Sequence, residues 1–241
     1  MNLKRNTILE SIQSAKKNLA VLIDPDKMKT QDVSGFISKV NQSLATHIFV
    51  GGSEVDEGQT DALVEEIKKH TQLPVILFPG DVIQITNKAD GILFLSLISG
   101  RNPDYLIGKQ VEAVSKLSNT HLDIIPTGYL LIENGKETAV QRVSQTKPIK
   151  RSDIQTIKDT AKAGELLGMK LIYLEAGSGA THPIEPQIIS EVKQQLNIPL
   201  IVGGGIRSKS EMELAYNAGA DVVVIGTAFE NDENFFEELK T

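Results

Sequence analysis

Eight short apolar runs, most followed by a loop rich in Gly, Ser, Asp or Pro, constrain this chain more than any other feature. They cover residues 19–23, 47–50, 75–78, 92–95, 122–125, 171–174, 200–202 and 222–225. Each run is continuous and not alternating, the pattern of parallel strands covered on both faces. Helix-period segments lie between them, at 32–43, 61–69, 103–117, 152–167, 186–196 and 210–217. In 103–117 the repeating apolar positions are Leu106, Ile107, Val111 and Val114. Ser152 and Asp153 open the next helix with residues suited to a cap. A short terminal helix is expected over 234–239. Eight strands alternating with helices over 241 residues predict an α/β chain folded as a TIM (β/α)8 barrel. A doubly wound sheet is the alternative architecture. No composition shift marks a boundary, so one domain spanning 1–241 is expected.

Two segments depart from the regular alternation. After Phe78-Pro79-Gly80 the stretch 81–87 is too short for a full barrel helix, which predicts a modified barrel with an irregular third helix segment. The stretch 126–150 holds Gly128, a second apolar run at 129–132, an Asn134-Gly135 turn signal and a polar tail. It reads as an elaborated βα loop or a small hairpin.

Composition narrows the chemistry. Lys and Arg number 25 against 31 Asp and Glu, for a net charge of -6. No basic excess exists to displace counterions, which argues against nucleic-acid binding. No apolar run approaches the roughly 20 residues of a membrane-spanning helix. There are no cysteines, which excludes disulfides, thiolate metal sites and cysteine nucleophiles, and fits a cytoplasmic location. The four histidines, His47, His70, His121 and His182, lack the spacing of a metal pair.

Barrel active sites form at the C-terminal ends of the strands. Gly203-Gly204-Gly205 follows the seventh run and Gly226-Thr227 the eighth. Glycines there let main-chain N–H groups approach an anion, which marks a phosphate site. Glu175-Ala176-Gly177-Ser178-Gly179 follows the sixth run and adds a carboxylate that can take a proton. Asp24-Pro25-Asp26-Lys27 follows the first, and two carboxylates beside a Lys suit Mg²⁺ with a diphosphate.

Together these motifs are more specific than any one of them. Val21-Leu22-Ile23-Asp24-Pro25-Asp26-Lys27, Val50-Gly51-Gly52-Ser53, Tyr173 through Ala180, Val202 through Ser208 and Gly226-Thr227-Ala228-Phe229 resemble the geranylgeranylglyceryl phosphate synthase family. Ser96 through Pro103 and Pro126 through Tyr129 extend the match over nearly the whole chain. The segment 129–149 is similar to the family's second group, with its Bacteroidetes-type bacterial members. The resemblance implies a prenyltransferase that joins sn-glycerol 1-phosphate to a polyprenyl diphosphate through an ether bond. It implies Mg²⁺ held by Asp24 and Ser53, and dimers or hexamers of the chain. It implies glycerol 1-phosphate held by Tyr173, Leu174, Glu175, Ala176, Gly177, Ser178, Gly179, Gly204, Gly205, Gly226 and Thr227. Glu175 would be the base, Tyr173 would orient the glycerol or shield an allylic cation, and Lys27 would assist as a point charge. An apolar groove for the prenyl tail is expected around Phe78, Ile83, Ile85 and Leu97. Two other classes share the phosphate loops: a barrel isomerase or lyase acting on a sugar phosphate, and a non-enzymatic phosphate-binding module.

Overall fold

The computed structural model describes residues 7–231 and 235–240. Its strands are β1 (Asn18–Ile23), β2 (His47–Val50), β3 (Val75–Leu77), β4 (Gly91–Ser96), β5 (Asp123–Leu131), β6 (Leu171–Glu175), β7 (Leu200–Gly203) and β8 (Val222–Ile225). All neighbours pair in parallel and β8 returns to β1, closing a barrel in chain order. Two cores result. An inner one fills the barrel with Ala20, Phe49, Ile76, Leu93, Leu131, Tyr173 and Ile201. An outer one packs the opposite faces of the strands against the helices. Burial on both faces is why the runs are continuous.

The helices are α1 (Thr7–Ser14), α2 (Thr30–Asn41), α3 (Gln59–Lys68), α4 (Lys109–Leu117), α5 (Ala139–Ser144), α6 (Ile154–Leu166), α7 (Pro186–Lys193), α8 (Lys209–Asn217), α9 (Thr227–Asn231) and α10 (Phe235–Glu238). Side chains cap several of them as their sequences require. Asp153 accepts from Thr156 N, Ser208 from Glu211 N and Thr138 from Gln141 N. α1 has no counterpart among the expected segments. It seats Ile8 and Ile12 on the inner core at the barrel's N-terminal end. The expected start of the terminal helix at Asn234 lies outside the described residues.

The third segment is irregular, as its length requires. A single 3₁₀ turn at Val82–Gln84, capped by Asp81 onto Ile83 N, stands where a barrel helix would lie. The segment 126–150 corrects the hairpin expectation. Residues 126–131 continue β5, which pairs with β4 up to Gly128 and with β6 up to Leu131. Pro126 is tolerated because its carbonyl accepts from Lys170 N (2.7 Å) before β6 begins, so no ladder bond lacks its donor. The rest turns at Asn134-Gly135 and forms α5.

The face of α4 is also rotated from expectation. A π-helical turn at Asp104–Gly108 precedes it, and its wider turn shifts the phase of the residues that follow. Ala113 and Leu117 point inward, while Ile107, Val111 and Val114 are 60%, 67% and 58% exposed.

His47, at the N-terminal end of β2, is buried, with Nδ1 on Thr46 Oγ1 (2.8 Å) and Nε2 without a partner among the described residues. Burial pulls its pKa down to about 4. The folded state therefore favours neutral His47, and its stability contribution is complete above pH 6.5 and lost as pH falls toward 4. Between pH 7 and pH 5 this costs about 2 kcal/mol. Urea titrations at the two pH values are expected to show that loss in the parent and not in His47→Gln.

Candidate active site

β6 brings the central residues together. Successive side chains on a strand point to opposite faces, so Tyr173 and Glu175 enter the barrel while Leu174 and Ala176 enter the outer core. The two outward side chains do not line the cavity. Their main-chain groups are also engaged, since Leu174 lies in the ladder, Ala176 N donates to Gly203 O, and Ala176 O accepts from Asn134 Nδ2.

Glu175 is 5% exposed. Its Oε1 accepts from Gly177 N at 2.5 Å. Burial pushes its pKa up, and the Gly177 N–H and the phenols of Tyr173 and Tyr129 pull against that rise. Both phenols are held above their ordinary range, by burial first and by the Glu175 charge second. The Tyr173 hydroxyl is buried with no well-formed hydrogen bond among the described residues. It faces Gly203, where no Cβ would fit.

Tyr129 completes this cluster and was not among the expected site residues. The β5–β6 register sets Tyr129 beside Tyr173 and Leu131 beside Glu175. Phe78 stacks on Tyr173 (centroids 5.2 Å apart) and lies 5.9 Å from Tyr129, whose ring meets Tyr173 edge-on at 5.3 Å. The three rings thus pack as one cluster that lines the cavity together with Glu175. A continuous strand through 131 is the sequence signal that places Tyr129 inside.

The glycine loops meet above Glu175. Gly204 has φ +87°, and a Cβ there would stand 2.6 Å from both Gly177 N and Glu175 Oε1. Only glycine permits this contact between the β6 and β7 loops. Ser178 Oγ lies 3.2 Å from Thr227 Oγ1, which joins the β6 loop to the start of α9. Among the described residues, the N–H groups of Ser178, Gly179 and Gly205 meet no main-chain acceptor. Gly177, Ser178, Gly179, Gly204, Gly205, Gly226 and Thr227 all line one cavity, with Tyr173 and Glu175. Converging hydroxyls and free N–H groups make a cradle for a phosphate-sized anion.

The same cavity, about 360 Å³, reaches Asp24, Lys27 and Ser53 across the mouth. Asp24 Oδ1 accepts from Asp26 N (3.2 Å), and Oδ2 lies 3.5 Å from Lys27 Nζ. No three acidic or histidine side chains gather as a metal cage among the described residues. One carboxylate and one hydroxyl, both hard oxygen donors at an open mouth, still fit Mg²⁺, which takes few protein ligands and keeps water and phosphate oxygens. From there the cavity runs outward as an apolar arm past Phe78, Val82, Ile85, Phe94, Leu97 and Tyr105. The arm exists because the 3₁₀ turn leaves open the space of a full helix. Phe78, Ile85 and Leu97 line it as expected. Ile83 does not; it is 41% exposed.

The PcrB family model matches residues 12–241. The chain belongs to the PcrB family. The geranylgeranylglyceryl phosphate synthase of Zunongwangia profunda is 58% identical over 95% of this chain and 97% of its own length. That of Pyrococcus furiosus is 43% identical over 91% of this chain and 87% of its own. Relatives from Bacteroidetes at 41–58% identity agree with the Bacteroidetes-type group that the motifs resemble. Among solved structures, the (S)-3-O-geranylgeranylglyceryl phosphate synthase of Thermoplasma acidophilum, in complex with sn-glycerol-1-phosphate, superposes with a TM-score of 0.90. It is 36% identical, covering 97% of this chain and 94% of the other.

Proposed function

We propose that this PcrB-family chain is a prenyltransferase that joins sn-glycerol 1-phosphate to geranylgeranyl diphosphate, forming an ether and releasing diphosphate. One observation carries the reading. A single cavity joins a phosphate cradle, a buried carboxylate and an apolar arm. A sugar-phosphate isomerase would have no use for that arm.

The cradle holds the monophosphate through the Ser178, Gly179 and Gly205 N–H groups and the Ser178 and Thr227 hydroxyls. The glycerol then extends toward Glu175. The allylic C–O bond of the diphosphate breaks as the glycerol oxygen bonds to the same carbon, and Glu175 takes the hydroxyl proton. The faces of Tyr173, Tyr129 and Phe78 offer π density to the developing allylic cation. Holding both substrates in one cavity supplies proximity. Asp24 and Ser53 would hold Mg²⁺, which when bound neutralises charge on the leaving diphosphate. Lys27 adds a point charge beside Asp24.

We place the reaction in the cytoplasm, on the absence of cysteine, and the chain in a homo-oligomer. No described helix is long and apolar enough to cross a membrane. The exposed stripe Ile107, Val111 and Val114 is the surface a second copy would cover, and light scattering reads its presence.

The test is incubation with sn-glycerol 1-phosphate, Mg²⁺ and prenyl diphosphates of graded length, with products identified by mass spectrometry. An ether product that forms with Mg²⁺ and disappears with EDTA is expected. Turnover of a sugar phosphate that needs no prenyl diphosphate and survives EDTA would overturn the assignment.

A further inference from the structure

We propose that Lys136 supplies the positive charge that binds the glycerol substrate's phosphate, an inference that rests on the function proposed above. The cradle as built from its loops is neutral, and it sits directly over the Glu175 carboxylate. A phosphate there gains from a cation placed next to it, since the chain as a whole carries -6 and offers no general positive surface.

Most basic side chains around the mouth are engaged. Lys27 lies beside Asp24, Lys109 pairs with Asp81 and Arg142 with Glu54, while Arg207 lines the cavity with its guanidinium turned onto Ala180 O at 2.6 Å and keeps its charge. Lys136 stands against the β6 loop itself. Its ammonium group stands 3.2 Å from where a Cβ on Gly179 would lie, and it has no ion pair or side-chain hydrogen bond among the described residues. An anion oxygen accepting the Gly179 N–H would sit within reach of Nζ.

This placement is built into the turn between β5 and α5. Asn134 is buried; its Oδ1 accepts from Lys136 N (3.1 Å), while its Nδ2 donates to Ala176 O. Thr138 packs its methyl against Gly177, and Gly135 packs on the His182 ring. The Asn134–Gly135 turn is thus clamped to the β6 loop at both ends, and Lys136, which follows it, sets its ammonium group beside Gly179. The two cations at the mouth then divide the work: Lys27 faces the diphosphate end with Asp24, and Lys136 the monophosphate end.

The test compares the parent, Lys136→Met and Lys136→Arg. Calorimetry with sn-glycerol 1-phosphate and with inorganic phosphate is expected to show roughly tenfold weaker binding of both to Lys136→Met. Its binding should also depend less steeply on salt. In turnover, the KM for glycerol 1-phosphate rises by a similar factor while kcat and the KM for the prenyl diphosphate change far less. Lys136→Arg restores most of the affinity. Lys136 is exposed, so an unchanged melting temperature is expected in both variants. Equal phosphate affinity in Lys136→Met and the parent overturns the role of Lys136 and leaves the proposed reaction standing. A parent that binds neither ligand overturns both.

Discussion

Glu175→Gln is expected to form ether product roughly 10³-fold more slowly than the parent, while glycerol 1-phosphate binds with nearly unchanged affinity. General-base catalysis by a positioned carboxylate contributes about 10² to 10⁴ in rate, and Gln is isosteric but cannot take the proton. The amide can keep the hydrogen bond from Gly177 N, so the loop that carries Ser178 and Gly179 stays in place. Calorimetry with glycerol 1-phosphate separates that binding from turnover read by mass spectrometry. Stability should not suffer. Glu175 has a raised pKa in the folded state, so folding disfavours its ionised form, and its contribution to stability falls as pH rises through the ordinary carboxylate range. A neutral amide removes that penalty, and the melting temperature at pH 7 is expected to hold or rise. The pH profile of the parent carries the same signature. Turnover needs ionised Glu175, so the acid limb of kcat lies above the usual carboxylate range, and the residual rate of Glu175→Gln lacks it. Near-normal turnover in this variant would remove Glu175 from the base role.

Barrel order and most of the mouth were legible because they depend on local patterns. Continuous apolar runs mark strands buried on both faces, and Asp24, Ser53, Glu175, Gly204 and Thr227 all fall just past such runs or at their ends. What escaped depends on phase and on distant partners. Pro126 reads as a strand terminus, because proline removes a ladder donor; only the late start of β6 makes it harmless, and with it Tyr129 moves from a loop into the barrel. Leu174 and Ala176 share a motif with Tyr173 and Glu175, but strand alternation sends them to the other face. The π turn at Asp104–Gly108 rotates α4 by an amount no apolar spacing announces, leaving Ile107 and Val111 outside. Lys136 is an unremarkable residue after an Asn-Gly turn until the fold folds that turn back onto Gly179.

Gly204→Ala should damage both halves of the site at once. It has φ +87°, where an L side chain costs about 1 to 2 kcal/mol. Conformation alone is the smaller part. The new methyl would stand 2.6 Å from Gly177 N and from Glu175 Oε1, closer than real contacts allow, so the β6 loop or the carboxylate must move. Moving the loop displaces Ser178 and Gly179 from the phosphate, and moving the carboxylate displaces the base. Affinity for glycerol 1-phosphate is expected to fall at least roughly 100-fold, with kcat falling as well, since catalytic geometry tolerates little misplacement. Gly168→Ala separates these effects. Gly168 follows the end of α6 with φ +99°, so it carries the same backbone penalty, yet nothing lies within 4 Å of its would-be Cβ. Its variant should melt a few degrees lower, by about 2 to 4 °C per kcal/mol, with kinetic constants unchanged. If Gly204→Ala behaves like Gly168→Ala, the glycine at 204 serves only the turn. Loss of binding and turnover in Gly204→Ala alone would mean that the close packing of the β6 and β7 loops is what shapes the cradle over Glu175.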